Sequence, residues 1–431
     1  MKTEYLYKIL KDNSFNISID SRKVSGGEVF FALKGENFDG NRFAPEALVK
    51  GATVAVIDDP SYERPNTVLV DNVLKELQAL ALKQRNIFNI PVLAITGSNG
   101  KTTTKEILSR VLAQEYKVHY TRDNLNNHIG VPLTLLSCPV DAGFMIVEMG
   151  ANHIGEIREL CYIARPAYGL ITNIGKSHLE GFGSLEAVAR AKTELYDYIE
   201  AEGGYVFYNE NDTFLTNAIR QRQITSVPYL RPGKHKINIL EVNQMPHLGM
   251  LLEIDGVKYT FHTRLFGLYN LENVLAALSI GLFFNISPGR AQKAIASYMP
   301  VNNRSQILKT GKNTLICDSY NANPVSMSRS LESFRKYQGD NKTVILGDMF
   351  ELGDYETEEH EKLLEELAAM DDLNVILVGK VFNSLARKYN MLSFESREQL
   401  IKYLEDKPVR DSLVLIKASR ALGLEEIYRL L

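Results

Sequence analysis

Residues 92–106 read VLAITGSNGKTTTKE. A short aliphatic run ends in glycine, serine and asparagine, and lysine and threonine then open a helical pattern over 103–112. No other stretch restricts the fold as strongly. The turn needs a buried strand on one side and a helix on the other, which places it in an open α/β sheet. Its glycines let successive backbone N–H groups turn toward one centre, and the helix N-terminus adds the positive end of its dipole. The result is a cradle for phosphate oxygens built from Gly97, Ser98, Asn99, Gly100 and Thr103, in which Lys101 would neutralise the β- and γ-phosphates of a nucleotide and Thr102 would ligate Mg²⁺. The strict pattern G-x-x-x-x-G-K-[ST] has glycine where this chain has Ile95. The bland alternative is a glycine turn before a helix that happens to contain lysine. Glycine, lysine and threonine in that order, between a strand and a helix, favour the nucleotide site.

The chain around this loop has 431 residues, enough for two or three cores at roughly 150 residues each. Its texture changes twice. Residues 1–88 hold short strands at 28–33 and 52–58 and a helical stretch at 73–88. Residues 89–300 carry apolar runs at 92–95, 144–147 and 169–171, each leading into a helix. Alternation follows over 237–262, with a hairpin turn at Asp255-Gly256, and then a helix at 271–284. Residues 301–431 alternate runs at 314–317, 343–346, 374–378 and 413–416 with helices such as 360–370 and 397–405. The expected fold class is α/β in three domains: a small α/β N-terminal domain (1–88), a central P-loop domain with a parallel sheet (89–300) and a C-terminal Rossmann-like domain (301–431).

Composition removes other classes. Hydrophobic residues at 45% and charged residues at 23% exclude a disordered or fibrous chain. A net charge of −3 gives no bulk electrostatic case for nucleic acid or an anionic membrane as partner. No apolar run approaches the roughly 18 residues of a spanning helix, and MKTEYLYKILKDN lacks the apolar block of a signal peptide. Cys138, Cys161 and Cys317 are odd in number and far apart, so neither a disulfide framework nor a zinc knuckle is expected. A reduced, cytoplasmic protein is expected.

Three more residues stand after strand ends that should converge beside the phosphate loop. They are Glu148 in EMGANHIGEI, His178 in TNIGKSHLEGFG and Lys192 in the helix SLEAVARAKTELY. A carboxylate and a neutral imidazole beside a triphosphate suit metal ions. Alone, Glu148 could be a helix N-terminal charge, His178 a loop histidine and Lys192 a solvated helix face. Their positions after strands of a P-loop sheet favour function for Glu148 and His178, while spacing alone decides nothing for Lys192.

These strings, with IDSRKVSGGEVFFALKGENFDG, NLNNHIGVPLTLL, LYNLENVLAAL, NRSQ, DSYNANPVSM and LGDMFELG, resemble the Mur ligase family over nearly the whole chain. The resemblance implies an ATP-dependent amide ligase of peptidoglycan precursor synthesis that works through an acyl phosphate, with ATP and Mg²⁺ as cofactors. DSYNANP and LGDMFELG point within the family to UDP-N-acetylmuramoyl-tripeptide and D-alanyl-D-alanine as substrates, and a monomer is expected. The family's roles carry over where residues match. Lys101 and Thr102 would serve phosphate and Mg²⁺, Glu148 and His178 metal ions, and Lys192 a metal as its carbamate. Asn270 and Asn273 would contact adenine, Arg304 the nucleotide phosphates and Asp318 ribose. Ser21 and Arg22, with Asn126 and Asn127, would hold the UDP-sugar end. Helix capping explains Asn270 and Asn273 equally well without the resemblance, and Asp318 could be a turn residue. Arg190 is the other candidate for a buried cation beside Lys192. Ala418 and Leu424 stand where the family pattern has glycine and methionine. The rival readings are the ligase that adds the diamino acid, a folylpolyglutamate-type synthetase, and a P-loop ATPase of the switch or assembly type.

Overall fold

Aliphatic runs that end in glycine or polar residues and lead into helices fold here as alternating strands and helices. The computed structural model describes residues 2–301, 303–339 and 341–431. Near the N-terminus, β1 (Ile17–Ser18), β2 (Val29–Phe31), β3 (Val54–Ile57) and β4 (Thr67–Leu69) form a parallel sheet in that order. Phe30, Ala55 and Ile57 pack with Ala44 and Ala47 of the helix Ala44–Val49.

The next strands are β5 (Val92–Thr96), β6 (Val118–Tyr120), β7 (Phe144–Glu148), β8 (Tyr168–Ile171), β9 (Tyr205–Tyr208) and β10 (Thr225–Pro228). They lie in the order β10-β9-β8-β5-β7-β6. β5 pairs with β7, β7 with β6, and β9 with β10, all parallel. Every residue of β5 and β7 is buried, as a parallel strand covered on both faces requires. The helices that matter below are α1 (Lys101–Leu112), α2 (Leu185–Ala201), α3 (Leu271–Phe283) and α4 (Pro324–Lys336).

The alternating stretch forms an antiparallel sheet of β11 (Ile237–Asn243), β12 (Gly249–Ile254) and β13 (Val257–His262). Its tight turn has positive φ at both Asp255 and Gly256, the backbone that an Asp-Gly hairpin favours. The last sheet contains β14 (Gln306–Lys309), β15 (Thr314–Cys317), β16 (Lys342–Gly347), β17 (Leu373–Val378), β18 (Leu392–Phe394) and β19 (Leu413–Lys417) in the order β14-β15-β19-β16-β17-β18. Its pairs are parallel except for the antiparallel edge strand β14.

The chain divides into two compact units. One runs to Ile95 and takes in Tyr116–Ala151 and Gly155–Gly169; the other comprises Thr96–Glu115, Asn152–Ile154 and Leu170–Leu431. The helices expected at 73–88, 271–284, 360–370 and 397–405 run Val73–Ile87, Leu271–Phe283, Glu356–Ala368 and Arg397–Asp406. Seven of these labelled strands, β1, β4, β6, β9, β10, β14 and β18, were not expected from the apolar runs. All three cysteines are buried and form no disulfide among the described residues, and burial pushes the thiols of Cys138 and Cys317 up to about 12. Among the described residues no helix is long and apolar enough to cross a membrane.

Candidate nucleotide site

The phosphate loop lies in the second unit, between the last residue of β5 and α1. Ile95 stays in the strand, wholly buried, and the turn begins two residues later. At Gly97 φ is +140°, and a Cβ would stand 1.9 Å from the Thr172 Oγ1. At Gly100 φ is +80°, and a Cβ would meet the Asn273 Oδ1 at 2.3 Å. Both positions therefore demand glycine. The departure at Ile95 is harmless because Gly97 supplies the turn.

The segment after β8 holds this loop in shape. Ser98 donates its backbone N–H to the Asn173 carbonyl at 3.0 Å, and its hydroxyl exchanges hydrogen bonds with Gly175. The Asn99 carbonyl accepts from the Thr172 hydroxyl at 2.6 Å and from Asn173 Nδ2 at 3.1 Å. Asn323, which caps α4, donates Nδ2 to Asn99 Oδ1 at 2.8 Å. The Nδ2 of Asn99 is buried and has no hydrogen-bond partner among the described residues. An unpaired donor in a ring of turned amides fits a phosphate oxygen. Lys101 Nζ lies 2.6 Å from the Gly97 carbonyl, and Thr102 and Thr103 are buried on the first turn of α1.

A hydrogen-bonded chain runs from α1 to the C-terminal sheet. The Thr104 hydroxyl donates to Asn273 Oδ1 at 3.1 Å, and Asn273 donates to Asn270 Oδ1 at 2.9 Å. Asn270 donates to the Ser305 hydroxyl at 3.1 Å, and the Ser305 N–H donates to Asp318 Oδ1 at 3.0 Å. Asp318 Oδ2 then accepts from Ser330 and from Lys417 Nζ, the latter at 2.7 Å. Neither Asn270 nor Asn273 caps α3 through its side chain, so simple capping does not explain them. Ser305, Ser330 and Lys417 had no assigned role in the sequence. Lys417 ends β19 and Asp318 follows β15, so the shared strand-end position is the signal that could have paired them.

Lys192 is 1% exposed and sits on the inner face of α2, whereas Arg190 is exposed. Burial, and then the neighbouring positive charge of Lys101, push its ammonium well below the usual lysine range. His178 adopts a left-handed backbone at the start of the short helix Leu179–Phe182. Its Nδ1 lies 2.5 Å from Glu351 Oε2 in the LGDMFELG loop, and this contact holds the Glu351 carboxyl below its ordinary value. The two groups approach closely, but His178 Nδ1 makes no aligned hydrogen bond among the described residues. Glu351 is the functional candidate that sequence reasoning quoted without a role.

The first unit holds the other candidates. Glu148 ends β7, is 2% exposed and accepts from Asn126 Nδ2 at 2.9 Å. Asn127 Oδ1 accepts the N–H groups of Ile129 and Gly130 at a helix start. Ser21 is buried, with its hydroxyl 3.3 Å from Glu46 Oε2. Arg22 is exposed, and its hydrogen bonds hold the Asp20 carboxyl down at about 2. Among the described residues no three His, Cys, Asp or Glu side chains converge as a metal cluster. In the second unit, Arg304 stacks on the Tyr320 ring, 3.5 Å from its centroid.

Comparison with known proteins agrees with this layout. Family models described as "Mur ligase family, catalytic domain", "Mur ligase middle domain" and "Mur ligase, glutamate ligase domain" match residues 15–95, 95–281 and 303–420. The chain belongs to the Mur ligase family. A similar Mur ligase is the UDP-N-acetylmuramoyl-tripeptide–D-alanyl-D-alanine ligase of Bacillus subtilis, 34% identical over 96% of this chain and 92% of that protein. Among solved structures, MurF from Acinetobacter baumannii is 28% identical with a TM-score of 0.86, covering 98% and 97% of the two chains. MurF ligase from Thermotoga maritima, in complex with ADP, is 26% identical with a TM-score of 0.83 over 97% of each. The three-part α/β architecture expected from the sequence is that of these Mur ligases.

Proposed function

We propose that this Mur ligase joins D-alanyl-D-alanine to UDP-N-acetylmuramoyl-tripeptide at the expense of ATP, in the cytoplasm and as a monomer. The observation that carries the reading is the near full-length likeness to the Bacillus subtilis enzyme at 34% identity. The pinned phosphate loop with its unpaired Asn99 donor supports nucleotide use.

A carboxylate does not react with an amine at neutral pH, since oxide is a very poor leaving group. Transfer of the γ-phosphoryl group of ATP to the tripeptide's terminal carboxylate gives an acyl phosphate and ADP. The neutral amine of the dipeptide then attacks the acyl carbon, loses a proton, and phosphate departs from the tetrahedral adduct. Lys101 and the loop amides offset the charge on the transferring group. Asn270 and Asn273 would contact adenine, Asp318 ribose and Arg304 the nucleotide phosphates.

Mg²⁺ prefers oxygen donors, which a hydroxyl, a carboxylate and a carbamate supply, and completes its shell with phosphate and water. Thr102, Glu148, His178 and Lys192 as a carbamate would hold it, and the ion would polarise the phosphoryl oxygens. The Lys192 lone pair adds to CO₂ and one N–H proton leaves, so an uncompensated buried amine becomes an oxygen anion. The low ammonium pKa favours the neutral amine this step needs.

Residues 1–88 with Ser21, Arg22, Asn126 and Asn127 would read the UDP-sugar, 89–300 would handle ATP, and 301–431 the dipeptide. The test is mass spectrometry of the purified chain incubated with ATP, Mg²⁺ and both substrates. A product heavier than the UDP-tripeptide by one dipeptide less water supports the reading. Addition of a diamino acid to the UDP-dipeptide instead would overturn it.

A further inference from the structure

Ser305 stands just before β14 with φ at +52°, a left-handed backbone that residues bearing a side chain adopt uncommonly. It is 4% exposed. Such a residue persists only where its surroundings over-determine it, and these positions cluster at ligand sites. Every polar atom of Ser305 is committed. Its N–H donates to Asp318 Oδ1 at 3.0 Å, and its carbonyl accepts from the Phe266 N–H at 3.2 Å. Its hydroxyl accepts from Asn270 Nδ2 at 3.1 Å and lies 2.8 Å from the Tyr269 hydroxyl. One residue therefore ties the segment before α3 to the residue that follows β15. Returning φ to its ordinary range would turn the N–H relative to the carbonyl and side chain, so the four bonds could not all persist.

These bonds also leave Asn270 one orientation. Its Nδ2 donates to Ser305 and to the Phe266 carbonyl, the latter at 2.8 Å, while its Oδ1 accepts from Asn273. Without the Ser305 hydroxyl, one N–H of a side chain that is 1% exposed loses its acceptor. A buried unpaired donor carries a penalty that turning the amide relieves. The phosphate loop is held separately, by Thr172, Asn173, Gly175 and Asn323, none of which hydrogen-bonds to Ser305 among the described residues.

We propose that Ser305 is a positioning residue for the nucleoside of ATP: it fixes Asn270 and Asp318 relative to each other, so the affinity for base and ribose depends on it and the grip on the phosphates does not. This rests on the proposed contacts of Asn270 with adenine and of Asp318 with ribose.

The experiment is calorimetric binding of ADP and of inorganic tripolyphosphate, each with Mg²⁺. Ser305→Gly suits the left-handed backbone and removes only the hydroxyl. It should weaken ADP roughly 5- to 50-fold, the size of a hydrogen bond broken with one partner left buried, and leave tripolyphosphate binding unchanged. In the ligation assay it should raise KM for ATP and leave kcat near the wild-type value, the pattern of lost uniform binding. Ser305→Ala keeps the strained backbone without the bonds that hold it, so its loss of ADP affinity should be at least as large. Thermal melts show which variants fold. Should neither fold, Tyr269→Phe removes the other hydrogen bond at the same hydroxyl and should show the same selective loss on a smaller scale. ADP bound at wild-type strength, or an equal loss for ADP and tripolyphosphate, would overturn the proposal in whichever variant is folded. Asn270→Ala tests the reading beneath it. Unchanged ADP binding there removes Asn270 from the nucleotide site and takes the Ser305 role with it; weakened ADP binding there, beside an unaffected Ser305→Gly, removes the Ser305 role alone.

Discussion

Replacing Lys192 with methionine should make the unliganded protein more stable and destroy its activity. The wild-type side chain is 1% exposed, and what bears on its charge is burial and the like charge of Lys101. In the unfolded chain the amine stays protonated up to about 10.5. Every pH unit by which its folded-state pKa lies below that value costs the folded protein about 1.4 kcal/mol at low pH. Methionine fills a similar volume without that penalty. The folded-state pKa is depressed, so between it and 10.5 the unfolded state binds the extra proton, and wild-type stability falls as pH drops through that window. The variant lacks this slope. Its advantage should shrink by about 1.4 kcal/mol for each pH unit gained within that window, so it is larger at pH 7 than at pH 9. Urea unfolding of both proteins in bicarbonate-free buffer between pH 7 and 9 measures it. Added bicarbonate should stabilise only the wild type, since carbamate formation binds the folded amine. A methionine variant that is less stable at every pH would refute the reasoning. One that ligates at the wild-type rate would end the carbamate proposal.

Other perturbations separate the parts of the site. Lys101→Ala should lower turnover at least ~10²-fold, as loss of an electrostatic stabiliser does; near-normal turnover in a steady-state assay would remove Lys101 from the chemistry. Lys417→Met leaves the half-buried Asp318 carboxylate to Ser305 and Ser330 alone, which costs at most about 3–5 kcal/mol, the figure for a fully buried pair. Adding Asp318→Asn should restore part of that stability in thermal melts, and no restoration would show that the two side chains are not coupled. Arg22→Ala should weaken UDP-peptide binding in calorimetry and leave ADP binding as it was; equal loss of both would argue against a uridine role for the N-terminal segment.

The phosphate loop was legible because its constraint is local. Gly97, Gly100, Lys101 and Thr102 carry their conformational and chemical demands within six residues, and even the missing glycine at 95 is made good by Gly97. Buried strands such as β5 and β7 read clearly as unbroken apolar runs. The strands that escaped, including β6, β10 and β14, are short and half-buried, so their sequences lack such runs. Partnerships across long sequence separations could not be read at all. The Lys417–Asp318 pair joins residues 99 apart, and Glu351 reaches His178 from a different strand end. Lys192 was ambiguous because a helical pattern marks a face, and only the packing around α2 shows that this face is buried.

The most direct measurement of the central claim is phosphate release in a coupled assay with ATP, Mg²⁺ and the UDP-tripeptide, run with and without D-alanyl-D-alanine. An amide ligase that passes through an acyl phosphate should release phosphate steadily only when both peptide substrates are present. Sustained ATP hydrolysis at the same rate without the dipeptide would contradict the account and point to a P-loop ATPase.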